Sequence, residues 1–183
     1  MTDSETHSQG ADDSPRDRFT TDRDAVHSFR LRGPWQYQAM ARTVLLADGS
    51  TEVTYESPLP PGGHVEMPAD WGATLGEDFR GQVMYQRHFG CPSGLEPSDR
   101  VILVIQRIDA FGTVALNGSP IGIVPAGGEP ARFDITANLK RRNLLAILVE
   151  LPRITADSQP LDRPGRDELP GGLVGEVRLQ IEA

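Results

Sequence analysis

Short segments with alternating apolar and polar residues follow one another from about Ala25 to the end of the chain. Trp35, Tyr37 and Ala39 alternate with glutamines, a period of two that is typical of a strand with one buried face. Residues 100–108 form instead a nearly continuous aliphatic run, which predicts a strand buried on both faces. Most of the chain is therefore patterned as strands.

Turn signals separate these segments at intervals of roughly ten residues. Asp48-Gly49 and Asn117-Gly118 are dipeptides favoured in tight hairpins, because both positions tolerate positive φ. Helical periodicity is limited to single turns near residues 69–75 and 136–140. With about eight or nine strands and no crossover helix, the pattern predicts an all-β protein, an antiparallel jelly-roll β-sandwich with one or two short helical turns.

The first twenty-four residues differ in composition from the rest. They carry seven acidic side chains against three arginines, a net charge of −4, which is half of the −8 of the whole chain. Only Met1 and Phe19 are large apolar residues there, too few to offset the entropy of ordering. We predict a disordered acidic tail over residues 1–24 and a sandwich domain over residues 25–183. For the tail, composition favours a solvated extension over a docking role.

Charge and composition exclude several functions. A net charge of −8 argues against nucleic acid or an anionic membrane surface as a partner. The single cysteine, Cys91, excludes an intramolecular disulfide and a cysteine-based zinc site. His64 and Glu66 share a face, but spacing places no third ligand beside them, so we predict neither a metal nor a cofactor. The basic run 140–142 is short and predicts a solvated turn.

Targeting signals are not visible in the sequence. No apolar run reaches the roughly eighteen residues of a transmembrane helix, and the first residues contain no signal-peptide core. We therefore expect a cytoplasmic protein, unless the true start lies upstream.

A series of short motifs in a fixed order covers residues 33–182. The series comprises Gly33–Trp35, Met67–Trp71, Tyr85–Phe89, Arg107–Asp109, Val114–Gly118, Phe133–Thr136 and Gly171–Leu173. In this order and spacing they resemble the N-terminal sugar-binding domain of glycoside hydrolase family two, which includes β-galactosidases and β-glucuronidases. The resemblance implies a jelly roll of the galactose-binding-like type.

The resemblance also bears on function. Enzymes of that family carry their acid/base and nucleophile glutamates in a separate barrel domain, and no segment here resembles its catalytic strands. Retaining hydrolysis needs two carboxyl groups about 5–5.5 Å apart on a rigid cleft. The resemblance therefore implies a non-catalytic carbohydrate-binding or carbohydrate-associated module. Two alternatives stay open: a protein-interaction domain that docks on a partner or self-associates, and, with less support, a glycosidase.

A sugar site needs an aromatic platform and planar polar side chains, because a pyranose presents C–H faces and a rim of hydroxyls. Residues of these types in or beside predicted loops are Trp71, Arg80, Asp109, Phe111, Arg163 and Arg166. Trp71 is the candidate for stacking, although the residue at its family position usually packs against the sandwich. Arg163 and Arg166 belong to the long polar segment 152–171, and loops of that kind are either functional or mobile.

Overall fold

The computed structural model describes residues 27–55, 58–125, 128–158 and 170–183. The strands are β1 (His27–Arg30), β2 (Trp35–Leu45), β3 (Thr51–Thr54), β4 (Gly63–Val65), β5 (Ala69–Asp70), β6 (Gly81–Gly90), β7 (Arg100–Ile105), β8 (Phe111–Leu116), β9 (Ser119–Val124), β10 (Ala131–Asp134), β11 (Arg142–Leu151), β12 (Gly172–Leu173) and β13 (Val177–Glu182). One α-helical turn, α1 (Gly72–Leu75), and one 3₁₀ turn (Thr136–Asn138) complete the described elements.

The strands form two main antiparallel sheets. The smaller sheet has the order β1-β13-β7-β10, and the larger has the order β3-β2-β6-β11-β8-β9, with β4 also pairing with β2. Strands β5 and β12 form a separate two-stranded ribbon. The all-β antiparallel sandwich predicted from the sequence is confirmed, and the helical turns fall where single turns are predicted.

The core lies between the two sheets. Apolar side chains from both sheets form one buried cluster that includes Trp35, Val83, Leu103, Ile147 and Leu179. In β2, β11 and β13 the buried residues alternate with more exposed ones, as period-two patterning requires.

Strand β7 is buried on both faces, as its aliphatic run predicts. Val101, Leu103 and Ile105 belong to the core cluster, whereas Ile102 and Val104 face outward and are still almost fully buried. On that outer face Arg132 and Arg178 flank Val104 in the strand register. The aliphatic stems of such arginines cover apolar neighbours while their guanidinium groups stay in water.

The sandwich has two ends, which we name after residues that lie there. At the Asn117 end, the 117–118 turn has φ values of 54° and 84°, as a tight hairpin requires. At the same end Asp134 Oδ1 accepts hydrogen bonds from the hydroxyl and the backbone N–H of Thr136, and these bonds lower the pKa of Asp134. The opposite end, where Gly171 lies, contains the beginnings of β6 and β8 and the last residues of β11.

Some sequence predictions concern residues beyond this description. The predicted tail, residues 1–24, lies outside the described residues, and the first described strand begins at His27. Neither helical turn in the described part of the chain has the length or hydropathy of a membrane span.

Candidate functional site

The ribbon of β5 and β12 brings two of the predicted sugar-site residues together. The backbone N–H of Trp71 donates to the carbonyl of Gly171 at 3.1 Å. Asp109 and Gly172 exchange two backbone hydrogen bonds, each 3.0 Å long. Trp71 and Asp109 therefore flank the same ribbon at the Gly171 end.

Two more predicted residues lie at this end. Phe111 opens β8 opposite Glu150 of β11, and Arg80 immediately precedes β6, whose first residue faces Leu151. Arg163 and Arg166 lie outside the described residues, in the connection between Ser158 and Pro170. The structure thus gathers four of the six predicted residues at one end of the sandwich.

The Trp71 ring is enclosed. It is 0% exposed and meets Phe79 edge-on, with ring centroids 5.4 Å apart and an interplanar angle of 87°. A Cβ added at Gly171 would come within 2.0 Å of Trp71 Cε2, so the backbone itself covers the indole. The expected stacking of a sugar on Trp71 therefore has no accessible ring face, and Trp71 is a core residue.

Asp109 and Arg80 are engaged in contacts within the fold. The Asp109 carboxylate, with its residue 3% exposed, pairs with Arg107, whose Nε lies 3.4 Å from Oδ1. Arg80 Nη1 donates to the carbonyls of Glu77 and Phe79 at 2.9 and 2.8 Å. The Asp109 carboxylate is buried and paired, and the Arg80 guanidinium is bound to its own loop. Both groups therefore stabilise the fold rather than offer themselves to a ligand.

A cleft that the sequence did not reveal adjoins the ribbon. We call it the Glu66 cleft; it has a volume of about 480 Å³. Its lining includes the apolar residues Leu31, Met67, Pro68 and Val177 and the polar residues Arg32, Glu66, Gln106 and Glu176. Two backbone hydrogen bonds between distant segments build it, Leu31 N to Val177 O at 2.8 Å and Met67 N to Arg32 O at 2.6 Å.

The charged groups of this cleft differ in how far they are engaged. Glu176 pairs with Arg30 at 2.6 Å and with Arg178 at 3.2 Å. Arg32 and Glu66 are exposed, and within the described residues neither side chain makes a hydrogen bond or an ion pair. These two groups are therefore free to meet a ligand.

A second cleft lies at the Asn117 end, and we call it the Arg141 cleft. It has a volume of about 720 Å³ and is lined by His88, Phe89, Gly90, Asn117, Arg141, Arg142, Asn143 and Leu144. Cys91, which is exposed, follows β6 beside it and donates its backbone N–H to Arg141 O. The only sign of this cleft in the sequence is the basic run 140–142, and from the sequence alone that run predicts a solvated turn and no cleft.

Metal ligands do not cluster in the described part of the chain. Nowhere in those residues do three or more His, Cys, Asp or Glu side chains lie close enough together to hold an ion. The candidate sites in the described residues are therefore two polar clefts. The Glu66 cleft carries both charges, and the Arg141 cleft is basic.

Comparisons with known proteins complete the description of the site. The sequence profile described as "Glycosyl hydrolase 2 galactose-binding domain-like" matches residues 78–177. No curated protein sequence matches the chain. A solved β-glucuronidase of Bifidobacterium dentium, in complex with coumarin-3-O-glucuronide, is 24% identical, with a TM-score of 0.64 over 87% of this chain and 30% of that chain.

Two further solved structures agree on the fold. The β-glucuronidases of an uncultured Clostridium sp. and of Faecalibacterium prausnitzii are both 20% identical, with TM-scores of 0.64 and 0.62. Each covers 87% of this chain but only 29% and 32% of the enzyme. The chain thus spans less than a third of these enzymes, and at such identities the likeness shows the fold alone. Because the family profile covers more than half of the chain, the protein belongs to the glycosyl hydrolase 2 galactose-binding-domain-like family.

Proposed function

We propose that this protein is a non-catalytic carbohydrate-binding or carbohydrate-associated module, and that its ligand lies in the Glu66 cleft. The observation that carries the proposal is the pairing of free planar polar groups with apolar side chains in one cleft of a galactose-binding-like sandwich. One relative in fold, the Bifidobacterium enzyme, was solved with a glucuronide. That supports a saccharide as the class of ligand.

The cleft has the chemistry that a sugar ring requires. The exposed Pro68 supplies apolar surface for the C–H face of a pyranose, next to the nearly buried Met67. Arg32 and Glu66 supply planar donors and acceptors for vicinal hydroxyl groups. A volume of about 480 Å³ lies within the usual range for small-ligand sites and suits one or two sugar rings.

The test is binding of the full chain to a glycan array, followed by calorimetric titration with the best ligand. Hydrogen bonds to charged groups contribute about 1.5–3 kcal/mol, so we expect Glu66→Gln or Arg32→Gln to weaken binding roughly 10- to 100-fold. Glu52→Gln, an exposed glutamate on β3, is the matched control and should bind like the unchanged protein. The proposal would be contradicted if no glycan bound saturably, or if neither cleft substitution weakened the affinity for the glycan.

A second candidate function, a protein-interaction domain, has its own supporting observation. Exposed apolar side chains occur at the β2–β3 edge of the larger sheet, where Met40 is 48% exposed, Val53 40% and Tyr55, just after β3, 91%. Clusters of exposed apolar side chains often mark interaction surfaces. A stable oligomer in sedimentation together with no response to any glycan would favour this candidate over a sugar-binding role.

A further inference from the structure

Basic side chains without partners concentrate beside the Arg141 cleft. Most described arginines are engaged: Arg30, Arg100, Arg107, Arg132 and Arg178 in ion pairs, Arg80 and Arg87 with backbone carbonyls, and Arg42 over the Phe79 ring. By contrast, the side chains of Lys140, Arg141 and Arg142 are exposed and make no ion pair or hydrogen bond with any described residue. Three adjacent cations thus remain unneutralised in a protein whose net charge is −8.

The cleft arranges two of these cations around a space that a peptide can enter. Arg141 and Arg142 line it together with the exposed His88, and Phe89 and Leu144 contribute apolar wall. At about 720 Å³ it is the larger of the two clefts described here. Guanidinium groups recognise carboxylates through paired N–H···O bonds, so the chemistry favours an acidic peptide as the occupant.

Strand β1, which an acidic segment of the same chain precedes, begins at this end of the sandwich. Residues 1–26 carry seven carboxylates against three arginines and precede β1, whose first residue, His27, pairs with Ile181. Ile181 pairs in turn with Val101, whose N–H donates to Thr136 Oγ1. The 3₁₀ turn that follows reaches the cleft, because the carbonyl of Asn138 accepts from Asn117 Nδ2.

Length does not limit such a contact. An extended chain spans about 3.3–3.6 Å per residue, so twenty-six residues reach up to roughly 90 Å, several times the radius of a domain of this size. Tethering also gives the segment an effective concentration of about the millimolar order, which compensates for weak individual ion pairs. We propose that the acidic N-terminal segment, residues 1–26, docks its carboxylates in the Arg141 cleft of the same molecule, instead of forming the solvated extension that composition alone favours.

The chain's single lysine provides the experiment. Lys140 is the only lysine in the sequence, and a carbodiimide joins carboxylates to amines without a spacer. We treat the full chain with carbodiimide at low salt and map the products by mass spectrometry. The expected product links Lys140 to an aspartate or glutamate of residues 1–26. Its yield should fall about tenfold in R141Q/R142Q and also at about 0.5 M NaCl, where screening shortens to a few ångströms.

The matched control is R141K/R142K, which keeps both charges. There the total yield of links between the segment and lysines 140–142 should be at least that of the unchanged chain, because the charges are kept and two reactive amines are added. Equal melting temperatures show that all the variants fold. Absence of the product in the unchanged chain, or an equal yield in R141Q/R142Q, overturns the proposal. A mixture of isotopically light and heavy chains identifies the source: links formed only between copies overturn docking within one molecule.

Discussion

Two asparagine side chains, the buried Asn143 and the half-buried Asn117, hold the turns at the Asn117 end in place. Asn143 is 1% exposed, accepts hydrogen bonds from Lys140 N and Asn117 Nδ2, and donates its own Nδ2 to Lys140 O. Asn117 in turn accepts from the backbone of Leu144. An asparagine side chain next to a strand can close a turn in this way, because its amide pairs with nearby backbone groups.

Replacing this one side chain has a measurable cost. Asn143→Ala leaves several buried polar groups without partners, so we expect the free energy of unfolding to fall by about 2–3 kcal/mol in urea titrations. Asn138→Ala is the control, since that side chain is exposed, and it should change stability by less than about 0.5 kcal/mol. Equal effects of the two substitutions would contradict this account of Asn143.

Two of the residues that the sequence predicts for a sugar site are buried in the structure. Trp71 and Asp109 are of the right type for a sugar site and do lie at one end of the sandwich, but the fold buries both. Residue type does not reveal burial in a loop, because burial depends on neighbours that are distant in sequence. For Trp71 these neighbours are Phe79 and the backbone of Gly171.

Elements with strong patterning were predictable. The aliphatic run gave β7, and the 48–49 and 117–118 turns gave two hairpins, because period and turn chemistry are local properties. The clefts were not predictable, because each forms where segments far apart in sequence meet. The Glu66 cleft, for example, needs the hydrogen bonds from Leu31 to Val177 and from Met67 to Arg32.

A glycine substitution in the ribbon of β5 and β12 can test whether packing against Trp71 contributes to stability. Gly171 and Gly94 share a φ of +77°, but a Cβ at Gly94 meets nothing within 4 Å, whereas one at Gly171 meets the indole. Gly94→Ala should therefore cost only the roughly 1–2 kcal/mol of a left-handed conformation. Gly171→Ala should cost about 1–3 kcal/mol more through overpacking. Chemical denaturation measures both, and equal losses would show that the contact with Trp71 adds nothing.

For the whole molecule, the family assignment accounts for the fold but leaves the activity to be tested. The matched enzymes are more than three times as long as the part that this chain covers. Two glutamates line the Glu66 cleft, and one of them, Glu176, is engaged by two arginines. Retaining hydrolysis needs two available carboxyl groups about 5–5.5 Å apart, and of the two in this cleft only Glu66 is free of an ion pair.

We therefore expect the purified chain to release no nitrophenol from nitrophenyl glycosides above the protein-free rate. A glycosidase of the matched fold, assayed in parallel, controls for the substrates. Saturable turnover that Glu66→Gln abolishes would replace the binding role with a catalytic one.

Ion-paired side chains cover the outer face of the smaller sheet. Glu182 bridges Arg100 and Arg132, and Arg132 also donates to Gln180, all above the aliphatic side chains of β7. Because these charges pair with one another and the outward side chains of β7 are almost fully buried, the face over β7 offers a partner neither unpaired charge nor exposed apolar surface. We therefore expect any partner of the sandwich to approach another face and to leave this one in contact with water.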